Sequence, residues 1–223
     1  MTAMQQSPDG DSSSQTLAQR AYETLRDRLV MLDIAPGEPI NDELLARELH
    51  TGRTPIREAI KHLERDRLVV AYPRRGTFAT KVDITDLAYI AEIRMELEPL
   101  AASRAARTAN AQTRAQLSEL AELVAAVTVD DIGVRELIQC DVAVHRAIYR
   151  AAGNPYLEDI LIREDNLATR IWCLFFDRLP DVSDHIREHS KLLEAIVAGD
   201  GNKAAQLARD HVSGFDAEIR AVL

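Results

Sequence analysis

The 223-residue sequence predicts a mainly α protein in two parts: an N-terminal winged helix-turn-helix of three helices plus a small β-hairpin wing, then an all-α bundle of about six helices. Three observations predict it. From Asn41 to Val82 the chain reads as a helix, a turn, a second helix and two short strands around a basic, Gly-containing tip. After residue 82 there is no β-alternating run, and with aromatics at 4% the apolar positions fall to Leu, Ala, Ile and Val, as helix-on-helix cores require. Charge is also split. Residues 1–82 hold 12 basic and 12 acidic side chains and residues 83–223 hold 15 and 24, so the whole net charge of −9 sits in the second part. An acidic chain thereby keeps its first part free to meet phosphate.

Three segments follow from the punctuation. Residues 1–14 are polar and Ser-rich, an expected disordered tail; residues 15–82 are the expected winged helix-turn-helix DNA-binding domain; residues 83–223 are the all-α bundle, which the family resemblance given below makes the expected effector-binding and dimerisation domain. Leu17, Ala21, Leu25, Leu29 and Leu32 lie on helical spacing, and Pro36-Gly37 closes that helix. A short helix, NDELLARELH, and the turn Thr51-Gly52 lead into RTPIREAIKHLERDRL. At about 100° per residue, Ile56, Ile60 and Leu63 form one narrow apolar stripe. Arg53, Arg57 and Lys61 recur beside it, with Thr54 at the edge. A basic row next to a buried row is what a helix docked in the major groove needs, because Arg and Lys reach guanine edges and phosphates. Pro55 suits the first turn, where its missing N–H has no helical partner anyway. The following VVAYPRRGTFATKV is the wing, with Arg74, Arg75 and Gly76 at its tip. Between Arg53 and Lys81 eight basic residues face three acidic ones. Double-stranded DNA is the implied partner.

In the second part, helices are expected over 83–108, 111–127, 131–152, 155–179, 184–198 and 202–221. Ile90, Leu97, Leu100 and Ala101 are the seam of the first. Gly153-Asn154-Pro155, Pro180 and Gly199-Asp200-Gly201 mark breaks. Asp141 and His145 are i, i+4 and point into the same space, while His189 and His211 sit on later helices. One carboxylate and three imidazoles suit a divalent first-row ion, zinc first, with nickel or manganese as alternatives. Chemistry alone leaves ordinary core or surface histidines equally open, and His185 with His189 forms a competing i, i+4 pair. Cys140 and Cys173 form no CxxC pair, no apolar run approaches the ~20 residues of a membrane span, and a cytoplasmic chain without a membrane partner is expected.

The segment PGEPINDELLARELHTGRTPIREAIKHLERDRLVVAYPRRGTF resembles the DNA-binding domain of GntR-family bacterial transcription regulators. One departure is Gly52, where a small hydroxyl residue usually precedes the Arg of the motif. The stretches EIRMELEPLAASRAA, DVAVHRAIYRAAGNPYLEDIL, EHSKLLEAIVAGD and ARDHV resemble the FCD-type effector domain carried by the FadR-like branch. A second departure is Val144, where an aromatic usually precedes the His.

The resemblance implies that Arg53, Thr54, Arg57, Lys61, Arg74, Arg75 and Gly76 meet DNA. It also implies that Asp141, His145, His189 and His211 hold one divalent ion per chain, selecting His189 over His185. Arg94 then reaches an effector cavity, and Arg170 is a second candidate anion contact, with Trp172 a candidate for its lining. The implied function is a ligand-responsive regulator: a homodimer reading a palindromic operator, expected to repress until a small carboxylate or hydroxy acid binds. The alternative is a metal-dependent hydrolase using the same Asp/His cluster; against it, no carboxylate is placed by motif as a general base.

Overall fold

The computed structural model describes residues 16–126, 133–178 and 182–222. The expected tail over 1–14, the break at Pro180 and the expected helix ends at 127, 131–132 and 179 lie outside these residues.

Helix α1 (Leu17–Val30) starts where the Thr16 hydroxyl accepts the Gln19 N–H. It stops short of Leu32, whose φ of +59° is left-handed, and Leu17 at its other end is exposed. Asn41 caps α2 (Asp42–Glu48) by accepting the N–H groups of Glu43 and Leu44. Of the stripe expected on α3 (Arg53–Arg65), Ile56 and Leu63 are buried in one cluster with Ala21, Leu25 and Leu29 of α1, while Ile60 is only half-buried and Ala59 completes the buried face. Two strands, β2 (Val69–Tyr72) and β3 (Gly76–Ala79), form the wing with Val70 opposite Phe78 and Tyr72 opposite Gly76. A strand absent from the sequence reading, β1 (Pro39–Ile40), pairs antiparallel with β3 and completes the order β1-β3-β2. Two residues carry too little alternation to be seen as a strand beforehand.

Six further helices are described after the wing: α4 (Asp86–Thr108), α5 (Ala111–Ala125), α6 (Val134–Ala151), α7 (Pro155–Phe175), α8 (Val182–Val197) and α9 (Gly201–Ala221). Ala101, Ala102, Ala105 and Ala106 give α4 a flat face on which α9 lies closely. In this contact space is tight at Gly201, where an added Cβ would stand 3.0 Å from Ser103 Oγ. The seam of α4 differs from the expected one. It runs through Leu87, Ile90, Ala91, Arg94, Glu98 and Ala101, while Leu100 is exposed on the same side as Tyr89 and Ile93. Two charged residues therefore occupy the buried face of α4.

Each part has its own apolar core, and Leu167 of α7 packs against both. Across the junction, Arg135 of α6 donates both Nη groups to Asp33 at 2.7 and 2.8 Å. Helix α7 thus touches the DNA-binding part on one side and the core of the bundle on the other.

Candidate metal centre and nucleic-acid interface

On the surface of α3, Arg53, Thr54, Arg57 and Lys61 are all exposed beside the buried stripe. Two of these cations are already organised. Arg57 Nε donates to Asp42 Oδ2 at 3.0 Å, and Arg53 reaches the same oxygen at 3.2 Å and Glu43 at 2.9 Å. Burial would raise the Asp42 pKa, but hydrogen bonds from Arg57 and then Arg53 outweigh it and hold the carboxyl below the usual range. Asp42 is a residue the sequence reading missed; its signal was an acid in the first turn of α2, one helix before the basic row. Gly52 stands at the N-cap of α3 with φ −80° and ψ 166° and supplies no side-chain hydrogen bond. At the wing tip Arg74 and Gly76 adopt φ of +63° and +95°, and the Arg75 guanidinium lies 5.8 Å from the Tyr72 ring centroid.

Asp141, His145, His189 and His211 come together from α6, α8 and α9. Each offers one ligand atom, and these atoms lie within 4.8 Å of one another in the buried core. The Nε2 atoms of His145 and His189 face each other at 3.3 Å, and His189 Nε2 is 3.7 Å from Asp141 Oδ1. Outer contacts orient the rings. His189 Nδ1 is 3.2 Å from the Ile186 carbonyl, and His145 Nδ1 is 3.2 Å from the Tyr149 hydroxyl. A carbonyl can only accept, so His189 carries its proton on Nδ1 and turns a lone pair on Nε2 inward. Both ring nitrogens of His211 and Oδ1 of Asp141 are buried without a hydrogen-bond partner. A neutral imidazole has one acceptor nitrogen and one N–H, so the unpaired acceptors are Asp141 Oδ1 and one nitrogen of His211; leaving them bare in the interior is costly, and one cation satisfies both. The donor set therefore fits a divalent ion.

The electrostatics agree. Burial above all pushes His189 down to about 4 and His185 to about 3, and drives His145 and His211 the same way, so the imidazoles are neutral. Asp141 is pushed up by burial and by Asp165, with Arg94 opposing. His185 is not remote: its ring stacks on His211 with centroids 4.2 Å apart, and its Nε2 is 3.9 Å from Asp141 Oδ1.

Arg94 donates from Nε to Glu98 Oε1 at 2.5 Å and lies 3.7 Å from Asp165. Burial opposes its charge, yet Glu98, Tyr149 and Asp165 outweigh that and hold the guanidinium protonated. It lines a small cavity of about 10 Å³ with Asp141, Asp165, Trp172, His185 and Phe215, so Trp172 does border the cluster. That space holds about one water.

Arg170 is elsewhere. On α7, Asp165, Thr169 and Trp172 face the cluster, whereas Arg163, Leu167 and Arg170 face the junction with the DNA-binding part. Arg170 donates from Nη1 to Thr80 Oγ1 at 2.6 Å and from Nη2 to the Thr80 carbonyl at 2.8 Å. The structure thus separates Arg170 from Arg94 and the cluster, about 140° around the helix from Asp165.

Comparison with known proteins places these features. Residues 17–79 match the family described as "Bacterial regulatory proteins, gntR family", and residues 89–214 match the FCD domain. The chain is 22% identical over 211 residues to the HTH-type transcriptional repressor RspR of Escherichia coli K12, covering 94% of this chain and 91% of that protein. It is 27% identical over 201 residues to the HTH-type transcriptional repressor GlaR of the same strain, covering 86% and 90%. Among solved structures, E. coli McbR/YncC superposes with a TM-score of 0.80 at 21% identity, over 93% of this chain and 98% of that one. A GntR regulator from Rhodococcus sp. RHA1 gives 0.66 at 22% identity, over 92% and 98%.

Proposed function

This chain belongs to the GntR family of bacterial transcription regulators and carries an FCD domain, and from that premise we propose a metal-assisted, ligand-released repressor. Two chains would read a palindromic operator, each through Arg53, Thr54, Arg57 and Lys61 of α3, with Arg74, Arg75 and Gly76 of the wing on the flanking backbone. Asp141, His145, His189 and His211 would hold one divalent ion, zinc first and nickel or manganese as alternatives. Such an ion supplies an electropositive centre for a small carboxylate or hydroxy acid. The observation that supports the reading most is a pair of unpartnered buried acceptors, Asp141 Oδ1 and one ring nitrogen of His211, in a group of four residues whose ligand atoms lie within 4.8 Å of one another. Repression is supported by the two relatives named as repressors.

The chain's own residues do the rest. Ile186 and Tyr149 orient the imidazoles, and burial keeps them neutral and able to ligate. Arg94, with its charge held by Glu98 and Asp165, adds a fixed cation on the cavity wall. A cavity of about 10 Å³ admits no organic acid as it stands. Effector entry therefore requires lining side chains such as Trp172, His185 or Phe215 to move. Trp172 lies on α7, which also contacts the DNA-binding part, so α7 is the element through which binding would be felt there.

Metal analysis with native mass spectrometry of the purified protein tests this. One divalent ion per chain and a dimer mass are expected. His189→Ala should strip the ion and the effector response in a gel shift on the gene's own upstream DNA, while His185→Ala keeps both. A correctly folded protein that retains no divalent ion at neutral pH overturns the reading.

A further inference from the structure

The bundle buries two arginines among the described residues, and they are treated very differently. Arg94 has Glu98 and Asp165. Arg170, 2% exposed, has only the two neutral oxygens of Thr80, and its Nε has no partner at all. A buried guanidinium without a carboxylate is destabilising unless something anionic completes it. Burial pulls its pKa down to about 10, with no carboxylate holding it up.

Arg170 lines a cavity of about 510 Å³ at the junction of the two parts, within the range of small-molecule sites. Its walls come from the end of the wing, from the connection at Lys81–Asp83, and from α4 and α7. Of the three acids in the lining two are engaged, since Arg163 Nε donates to Glu164 at 3.1 Å and Asp83 accepts the Thr85 N–H and hydroxyl; the third, Asp86, is exposed at the start of α4. Tyr89, Ile93 and Leu167 supply apolar lining alongside the cations Arg170, Lys81 and Arg67. An anionic head with a short apolar body matches that distribution.

The geometry points to a second ligand site, distinct from the metal cluster: the junction cavity takes a small organic carboxylate whose head group pairs with Arg170 and Lys81. The site is placed to matter. Arg170 is the tie between α7 and Thr80, directly after β3 of the wing, so a carboxylate that recruits the guanidinium competes with that tie. Being on the face of α7 opposite Asp165 and Trp172, the site would address the same helix from the other side.

Benzoate is a suitable probe, titrated calorimetrically into the full chain after treatment with a chelator, so that the metal cluster contributes nothing. Saturable binding at millimolar benzoate is expected, weakened roughly ten- to hundredfold by Arg170→Met, as loss of a charge-assisted pair requires. Absence of saturable binding, or equal affinity in wild type and Arg170→Met, overturns the site and leaves Arg170 as a structural tie. Binding seen only with metal restored assigns benzoate to the cluster and likewise overturns it, while leaving the metal reading intact. Should Arg170→Met fail to fold, Lys81→Glu at an exposed position decides: weakened binding supports the site, and unchanged affinity overturns it.

Discussion

Four neutral imidazoles locked in one core should make the metal-free protein acid-sensitive in a window that can be calculated. Burial lowers the folded pKa of His189 to about 4 and of His185 to about 3, with His145 and His211 shifted the same way, against 6.5 for the exposed group. A depressed folded pKa means that the unfolded chain binds the protons. Stability is then full above the unfolded pKa and lost as pH falls through it. Between about pH 7.5 and 6 each imidazole costs somewhat under ~1 kcal/mol, so the four together cost on the order of 3 kcal/mol. Two buried carboxyls work in the opposite direction; a third, Glu188, is also raised by burial but is largely exposed and screened by solvent. Asp165, raised to about 6 by burial, takes up protons in the fold at the lower pH and returns well under ~1 kcal/mol. Asp141, also raised, returns at most ~2 kcal/mol over the same interval. The net loss is therefore ~1 to ~3 kcal/mol, and its sign survives the largest offset. Urea unfolding of chelator-treated protein at constant ionic strength measures it. Stability that is flat or rising from pH 7.5 to 6 would show that the imidazoles are charged in the fold and the burial argument is wrong. The same shift bears on metal retention. The reference imidazole pKa of about 6.5 alone would release the ion below about pH 6, and burial moves that release lower.

At the DNA face, Arg57→Ala should weaken operator binding by ~1–3 kcal/mol, a factor of about 5 to 150, with an unchanged melting curve; wild-type affinity in a gel shift would remove α3 as the reading helix. Asp42→Asn should weaken the same binding less, by freeing Arg53 and Arg57 from their shared carboxylate; an effect larger than that of Arg57→Ala would contradict a merely positioning role. Removing Arg74 or Arg75 should flatten the log–log salt dependence by roughly 0.9 for each phosphate left unneutralised and weaken all sequences alike, whereas a changed preference at one base pair would mean the wing reads bases. Gly52→Ser should stabilise by ~0.5–1 kcal/mol, because its φ of −80° suits any residue and an added Cβ meets only Pro55 Cδ at 3.7 Å. The gain stays small since Pro55 has no N–H and only Thr54 can donate to the new hydroxyl, and a lowered melting temperature would refute the cap argument.

What could be read beforehand follows from periodicity and its limits. The stripe Ile56, Leu63 beside Arg53, Arg57 and Lys61 was legible because one helix both packs on its domain and faces outward, so apolar and basic residues separate cleanly by angle. Asp141 and His145 were legible as a helical pair, but His185 and His189 share that spacing and are both buried, so spacing could not choose between them. Arg170 shows the same limit from the other side. Helix α7 is buried on two faces, by the cluster and by the DNA-binding part, and no apolar pattern says which face a charged residue occupies. The seam of α4 was misread for a related reason: its buried face carries Arg94 and Glu98 at i, i+4, and a search for apolar positions moved to Leu100 instead. That misreading is itself informative. Glu98 accepts from Arg94 and from the Tyr149 hydroxyl, which also touches His145 Nδ1, so the charged residues that break the apolar pattern of α4 form one hydrogen-bonded chain ending on a metal-ligand candidate. Local rules fail where a site needs polar groups in the core, and in this bundle the failure on α4 marks the site as surely as the histidines do.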